Sequence, residues 1–462
     1  MTTLATHRTS LRLDRETALR IERDCRRDGD RLTVNKWVAR AIAEKLARYE
    51  VNSESTSRSE RHGPKRNFLE FFCGGGMARA GLGESWSCTF ANDISPMKAR
   101  TYRDNWAGGH ELRVGDINQI EAIDLPGIAD LVWASFPCQD LSLAGTQQGL
   151  GENQPGSENQ PGAATRSGTF WPFWRLMQAL IRERRGPAVI VLENVYGVLT
   201  THQSQDFAAI GSAFAAEGYR FGAVLIDARH FLPQSRPRVF IVGVAPHIEI
   251  DAALVRAGPA SVWQPKGIMQ AFGALKESAR QHWVWWHLPQ PNAQPRALID
   301  LIEAQPDSVD WHSNAQTERL ISMMSLANLE KLNRVKASRR ATVGTLYRRT
   351  RKDGNGNRVQ RTEVRFDNVA GCLRTPAGGS SRQSILLVDG QHVRSRLLSS
   401  REVARLMGLP DTYVLPVNYN DAYHIAGDGV AVPVVRFLAD ALIEPLLTRT
   451  VDRAEIEPGA AP

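Results

Sequence analysis

The chain has 462 residues, 42% hydrophobic and 23% charged, with a formal net charge of +8. That length holds two or three domains with a sizeable core; no apolar run reaches the roughly 18 residues of a membrane span, and no secretory signal opens the chain. The five cysteines (Cys25, Cys73, Cys88, Cys138, Cys372) form no C-x-x-C pair, which indicates neither a zinc site nor a disulfide framework and points to a reducing cytoplasm.

Residues 1–50 predict a small separate unit. Arg8 to Asp14 alternates as a short strand, with Leu11 and Leu13 on one face and Ser10 and Arg12 on the other. A helix is expected from Arg15 to about Arg27. Thr33 can cap a second, whose Val34, Trp37, Val38, Ala41, Ile42 and Leu46 form an apolar stripe. This β-α-α order resembles the ribbon-helix-helix repressors, which implies a homodimer through paired strands, with Arg8, Ser10 and Arg12 facing the DNA major groove. The alternative is a dimerisation or docking hairpin without sequence readout. Residues 51–66, rich in Ser, Glu and Arg, read as a flexible linker.

From Asn67 the pattern is α/β. The runs NFLEFF, LVWASF, AVIVL, FGAVLI and RVFIVGV alternate with helix-like segments, which predicts a mostly parallel sheet whose ligands sit at the carboxyl ends of its strands. After the first run, CGGGMARAGL is a Gly-rich turn opening a helix, suited to close approach of a ligand. About twenty residues on, Asp93 stands where an acid takes ribose hydroxyls. Asp116 and Ile117 of LRVGDI follow at a third strand end, suited to a purine edge. The turn lacks Gly-Lys-Ser/Thr, so an adenosine-type cofactor without a polyphosphate fits better than a P-loop nucleotide.

Next, SFPCQDLS carries Cys138 just past the end of an apolar run, where a packing cysteine does not belong. Glu193 follows AVIVL in the same way. In Pro233 to Arg238, Gln234, Arg236 and Arg238 recur at i, i+2 and i+4, which on an extended chain aims all three at one face. The pentapeptide ENQPG occurs twice, at Glu152 to Gly156 and Glu158 to Gly162, and reads as a tolerated insertion.

The positive charge is concentrated. From Arg334 to Arg365 there are eleven Lys/Arg against two acids, the electrostatic footprint of a phosphate-contacting surface, or else a solvated loop. Arg348, Arg349 and Arg351 lie in it, and Arg374, Thr375 and Arg382 in the Gly-rich stretch that follows. Tyr347 and the tryptophans of HWVWW could stack on bases, with core packing the better reading for the tryptophans.

The ordered set FFCGGG, ANDI, GDI, FPCQ, ENV, PQSRPR, RLLSSREVARLMGLP and AGDGVAVPVV resembles the DNA cytosine-5 methyltransferases. The resemblance covers about Asn67 to His247 and Arg396 to about Leu446. It implies an S-adenosylmethionine-dependent methyltransferase fold, Rossmann-like, with a catalytic and cofactor-binding domain at 67–247, a target-recognition domain at 248–395, a return of the chain at 396–450 and a flexible tail at 451–462. Cys138 would be the thiolate that adds to carbon 6 of an extruded cytosine. Glu193, Arg236 and Arg238 would hold the base, and Gln234 the DNA. Around S-adenosylmethionine would stand Phe72, Gly74, Gly76, Asp93, Ile94, Asp116, Ile117 and Pro137, and no metal is implied. Gly427-Asp428-Gly429 departs from the family's usual Gly-Asn-Ser/Ala, and an Asp cannot donate as an Asn does. Double-stranded DNA is the expected partner, in a bacterial cytoplasm as a restriction-modification or orphan enzyme. An RNA cytosine-5 enzyme, or a DNA-binding regulator with an idle catalytic domain, is the alternative.

Overall fold

The computed structural model describes residues 65–137, 166–291, 296–352, 356–373 and 382–448, with backbone alone at 166–167. Two compact units divide the chain, Met1–Lys65 and Arg66–Pro462, and the described residues beyond Lys65 fall in the second. The expected ribbon-helix-helix segment, with Arg8, Ser10 and Arg12, lies outside the described residues, as do the ENQPG repeats, Cys138, Arg374 and Thr375.

Seven strands build the main sheet: β1 (Arg66–Phe71), β2 (Trp86–Asp93), β3 (Leu112–Val114), β4 (Leu131–Ala134), β5 (Val189–Val195), β6 (Arg220–Asp227) and β7 (Pro237–Val244). Their order is β3-β2-β1-β4-β5-β7-β6. All neighbours run parallel except at β7, which pairs antiparallel with both β5 and β6. Every apolar run singled out in the sequence supplies one of these strands. In β1, β4 and β5 nearly every residue is buried, as expected of a sheet covered on both faces. Strand order reverses between β1 and β4, so their carboxyl ends flank the switch point at which such sheets bind ligands.

Four helices follow these strands: α1 (Met77–Leu82), α2 (Pro96–Asn105), α3 (Phe170–Arg182) and α4 (Gln205–Ala216). In α3, Phe170, Phe173, Trp174, Met177 and Leu180 recur at helical spacing and are buried. Phe173 meets Phe71 of β1 edge-on, ring centroids 5.2 Å apart. Burial of such a side chain contributes about 1.5–3 kcal/mol.

The packing does not change at residue 248. Ile248, Trp263, Ile268, Ala271, Trp286 and Leu301 all belong to the main core. The backbone at 282–284 bonds to Phe221 along the edge of β6, covering what would otherwise be unpaired groups. A two-strand pair, β8 (Val255–Arg256) with β9 (Trp285–Trp286), lies nearby. Of the HWVWW tryptophans, Trp286 is buried and Trp283 and Trp285 pack against Phe272.

A second sheet is antiparallel, in the order β11-β10-β12-β13: β10 (Thr342–Lys352), β11 (Arg358–Arg365), β12 (Ser384–Asp389) and β13 (His392–Leu397). Met324, Leu332, Leu346, Val364, Leu386 and Val388 form its own small core. Near the end of β13, Arg396 is fully buried and paired at both terminal guanidinium nitrogens with the capping-box carboxylate of Glu402 (2.6 and 2.7 Å).

Candidate active site

The turn after β1 holds three left-handed residues: Phe72 (φ 57°), Gly74 (φ 56°) and Gly76 (φ 77°). Such a φ strains Phe72, and backbone strain of this kind clusters at functional sites. The Gly75 carbonyl accepts from Tyr413 Oη (2.7 Å) and Trp106 Nε1 (3.1 Å), which fixes the turn from two distant segments. Gly74 faces open space, with no heavy atom within 4 Å of where a Cβ would stand. Its N–H donates to Asp93 Oδ2 (2.9 Å), and Ser95 N donates to Oδ1 (2.8 Å). Asp93 ends β2 with a lone pair to spare on each oxygen. Beside it Ile94 is 67% exposed, a large apolar side chain at a strand end.

Asp116 caps the short turn Ile117–Gln119, its Oδ1 accepting from both Asn118 nitrogens. Ile117 departs from expectation: its side chain is buried in the core, so only its backbone is left to offer an adenine edge. Together, an open glycine face, two carboxylates and an exposed aliphatic group suit the adenosine half of a cofactor. Beneath the turn lies Glu70, buried, with Oε2 accepting no hydrogen bond among the described residues. Burial pushes its carboxyl up to about 8, partly opposed by the Arg79 guanidinium. Cys73, also buried, has its thiol raised well above the ordinary range by the same cause.

Across the switch point, β4 leads into Ser135, Phe136 and half-buried Pro137. Ser135 N donates to Phe71 O (3.3 Å), and the Phe136 carbonyl accepts from Asn194 Nδ2 (3.1 Å). Asn194, the middle residue of ENV, thereby ties the segment that enters Cys138 to the end of β5. Glu193 is buried, and its Oε1 stands 3.1 Å from Arg238 Nε. Val195 opposes Arg238 in the β5–β7 register, so Glu193, two residues earlier, meets Arg238 diagonally on the same face.

The other two members of PQSRPR go elsewhere. Arg236 is buried: its Nη1 donates to Leu373 O (3.1 Å), and its Nη2 to Gly427 O and Gly429 O (2.7 Å each). Gln234 is buried too, its Nε2 bonded to Leu406 O and its Oε1 accepting from Leu373 N. The DNA contact expected of Gln234 and the base contact expected of Arg236 therefore do not fit their placement. The i, i+2, i+4 rule fails because β7 begins only at Pro237 and because later segments cover this corner. Arg236 acts as a clamp on the Gly427-Asp428-Gly429 segment. A Cβ at Gly429 would stand 2.1 Å from Met77 Sδ of α1, so a larger residue there requires the Met77 side chain to move.

On the second sheet, Arg348, Arg349 and Arg351 are exposed along β10. Arg349 lies directly opposite Arg361 of β11. Like charges so placed are unfavourable without an anion; Glu363 offsets part of this through Arg351 (2.5 Å) and Arg349 (3.5 Å). Arg382 is half-buried over the Tyr419 ring and bonds Asn420.

The family model described as C-5 cytosine-specific DNA methylase matches residues 66–444. The chain belongs to this family. Among relatives of this DNA methylase, the Type II methyltransferase M.NlaX of Neisseria lactamica is 25% identical over 378 residues, 81% of this chain and 95% of its own. M.NgoBI of Neisseria gonorrhoeae is 28% identical over 371 residues, 79% of this chain and 90% of its own. The solved structure of the Entamoeba histolytica methyltransferase EhMeth superposes with a TM-score of 0.51 at 13% identity, over 84% of this chain and 99% of that one, a likeness of fold. The α/β methyltransferase fold expected from the sequence is thus the fold of the DNA methylase. Sequence reasoning missed Asn194, Trp106 and Tyr413 as supports of the site; only Asn194, inside ENV, carried a signal. Among the described residues no His/Cys/Asp/Glu group could hold a metal, and no helix is long and apolar enough to cross a membrane.

Proposed function

We propose that this DNA methylase modifies carbon 5 of cytosine within one short double-stranded sequence, with S-adenosylmethionine as methyl donor and Cys138 as nucleophile. The observation that carries this reading is the Glu193–Arg238 pair, 3.1 Å apart at the ends of β5 and β7, next to the segment that Asn194 anchors ahead of Cys138. Cytosine C5 is too weakly nucleophilic to take the methyl group unaided. The Cys138 thiolate adds to C6, and the C5=C6 electron pair becomes an enamine-type nucleophile at C5. The cofactor supplies the methyl group. C5 then loses its proton and the thiolate leaves, restoring the ring.

Glu193 accepts from the exocyclic amine of the base and shares a proton with N3, and that proton offsets the charge that develops in the ring during attack. Arg238 orients that carboxylate and lies toward O2, with planar donors that Lys would not reproduce. Extruding the base from the duplex costs a few kcal/mol, offset by contacts from the β10–β11 arginines and from residues 374–382. Asp93, Ile94 and Asp116 hold the adenosine half of the cofactor, and Phe72, Gly74 and Gly76 surround its methionine moiety. Relatives named as Type II methyltransferases support a place in a bacterial restriction-modification system. In this reading residues 1–50 form a dimeric DNA-reading unit, and Arg12→Ala abolishes operator binding without loss of methylation.

The test is cytosine-methylation sequencing of DNA from a methylation-free host expressing the protein or its Cys138→Ala variant. One short motif gaining 5-methylcytosine with the native protein alone supports the reading. Unmodified DNA from both, with soluble cofactor-binding protein, overturns it in favour of an RNA substrate or a regulatory role.

A further inference from the structure

The departure at Asp428 has a partner. Asp428 is the last residue of the helix Tyr419–Asp428, and its Oδ2 stands 2.8 Å from Lys98 Nζ, in the first turn of α2. Each charge sits at the wrong end of its own helix: a carboxylate at a C-terminus and an ammonium at an N-terminus both oppose the macrodipole. Helix stability therefore does not account for either residue, and the pair joins segments 330 residues apart by meeting in space. Burial pulls the Lys98 ammonium down, but the Asp428 and Asp93 carboxylates outweigh it and hold the group above the usual lysine range. Lys98 thus stays charged, within the electrostatic reach of Asp93 and of Cys73 in the Gly-rich turn. Asp428 is 40% exposed, and Arg236 pins the carbonyls on both sides of it.

We infer that the Lys98–Asp428 pair recognises the zwitterionic amino-acid end of the cofactor, Lys98 taking its carboxylate and Asp428 its ammonium. The inference rests on the proposed use of S-adenosylmethionine. An Asp accepts hydrogen bonds but does not donate them, so it matches an ammonium and not a carboxylate. The lysine beside it supplies the donor that the carboxylate needs. A fixed ion pair presented to a zwitterion satisfies both charges at once, which a single amide could not do. The adenosine half lies with Asp93, Ile94 and Asp116, on groups this pair does not touch among the described residues.

The test compares two probes by calorimetry, S-adenosylhomocysteine, which carries the amino-acid end, and 5′-methylthioadenosine, which lacks it. Lys98→Gln is expected to weaken S-adenosylhomocysteine by about 10- to 100-fold and leave 5′-methylthioadenosine unchanged, as for loss of one charge-assisted bond. Lys98→Arg restores the first ligand. Asp428→Asn weakens it in the same selective way, and carries the test if Lys98→Gln does not fold. Equal weakening of both probes, or of neither, overturns the inference and leaves the cofactor reading standing. Failure of the unaltered protein to bind either probe overturns the cofactor reading itself.

Discussion

Arg238 reaches Glu193 across the β5–β7 pairing at 3.1 Å, whereas Arg236, two positions earlier, is buried and bonded to the carbonyls of Leu373, Gly427 and Gly429. Two arginines of one short motif thus divide into one beside Glu193 and one inside the scaffold, and their variants should fail differently.

Arg238→Lys keeps a positive charge but loses the planar fork that steadies Glu193. Turnover is expected to fall about 100-fold, the size of losing one aimed donor at a transition state. Affinity for S-adenosylhomocysteine and the melting temperature should stay near those of the parent. Single-turnover methylation and calorimetry on the same preparation check this.

Arg236→Met leaves two buried carbonyls, of Leu373 and Gly427, and the part-buried one of Gly429 without their donor. Each buried unsatisfied group costs about 1–3 kcal/mol, so a loss of at least about 2 kcal/mol is expected. The urea midpoint measures it, and a midpoint unchanged from the parent would show that the clamp is not needed.

Glu70 makes stability depend on pH in a defined direction. Its folded carboxyl is pushed from 4.5 up to about 8 by burial, so the folded protein holds this proton more tightly than the unfolded chain does. The contribution is therefore complete below about 4.5 and is lost as pH rises through about 8, with a slope of up to about 1.4 kcal/mol per unit. Glu70→Gln, which cannot ionise, should flatten the melting curve across that window and be the more stable protein near its upper end. Equal slopes for the two proteins would refute this.

The facing arginines of the β10–β11 hairpin should appear in the salt dependence of DNA binding. Each phosphate contact contributes about −0.9 to the slope of log K against log salt. Replacing Arg348, Arg349 and Arg351 together with Gln should shallow that slope by about two to three units and weaken all DNA sequences alike. Loss confined to one sequence would instead mark base readout.

The sheet was legible because buried parallel strands leave uninterrupted apolar runs, and the ends of those runs located Asp93, Asp116 and Glu193. Alternation aimed Gln234, Arg236 and Arg238 at one face, and of the three only Arg238 stands beside Glu193. The pattern misplaced Gln234 and Arg236, because a period of two assigns faces without saying what covers them, and the cover comes from Leu373, Leu406 and Gly427. Lys98 gave no local signal at all: its meaning depends on Asp428, which no short window contains. Likewise the main core continues past 248, since the boundary inferred from motif spacing marks where resemblance stops and not where packing changes.

Tyr413 completes a turn that begins at residue 72, and Gly427 receives the Arg236 clamp, which has consequences for synthesis on the ribosome. Once β7 has emerged, every strand of the central sheet exists, yet the latch on Gly75 and the ligand of the Arg236 clamp are still untranslated. A nascent chain can therefore form its scaffold early and acquire a finished cofactor turn only near the end of translation. Premature termination before residue 413 would yield a product that contains Cys138, Glu193 and Arg238 but lacks the Tyr413 support on the turn at Gly75.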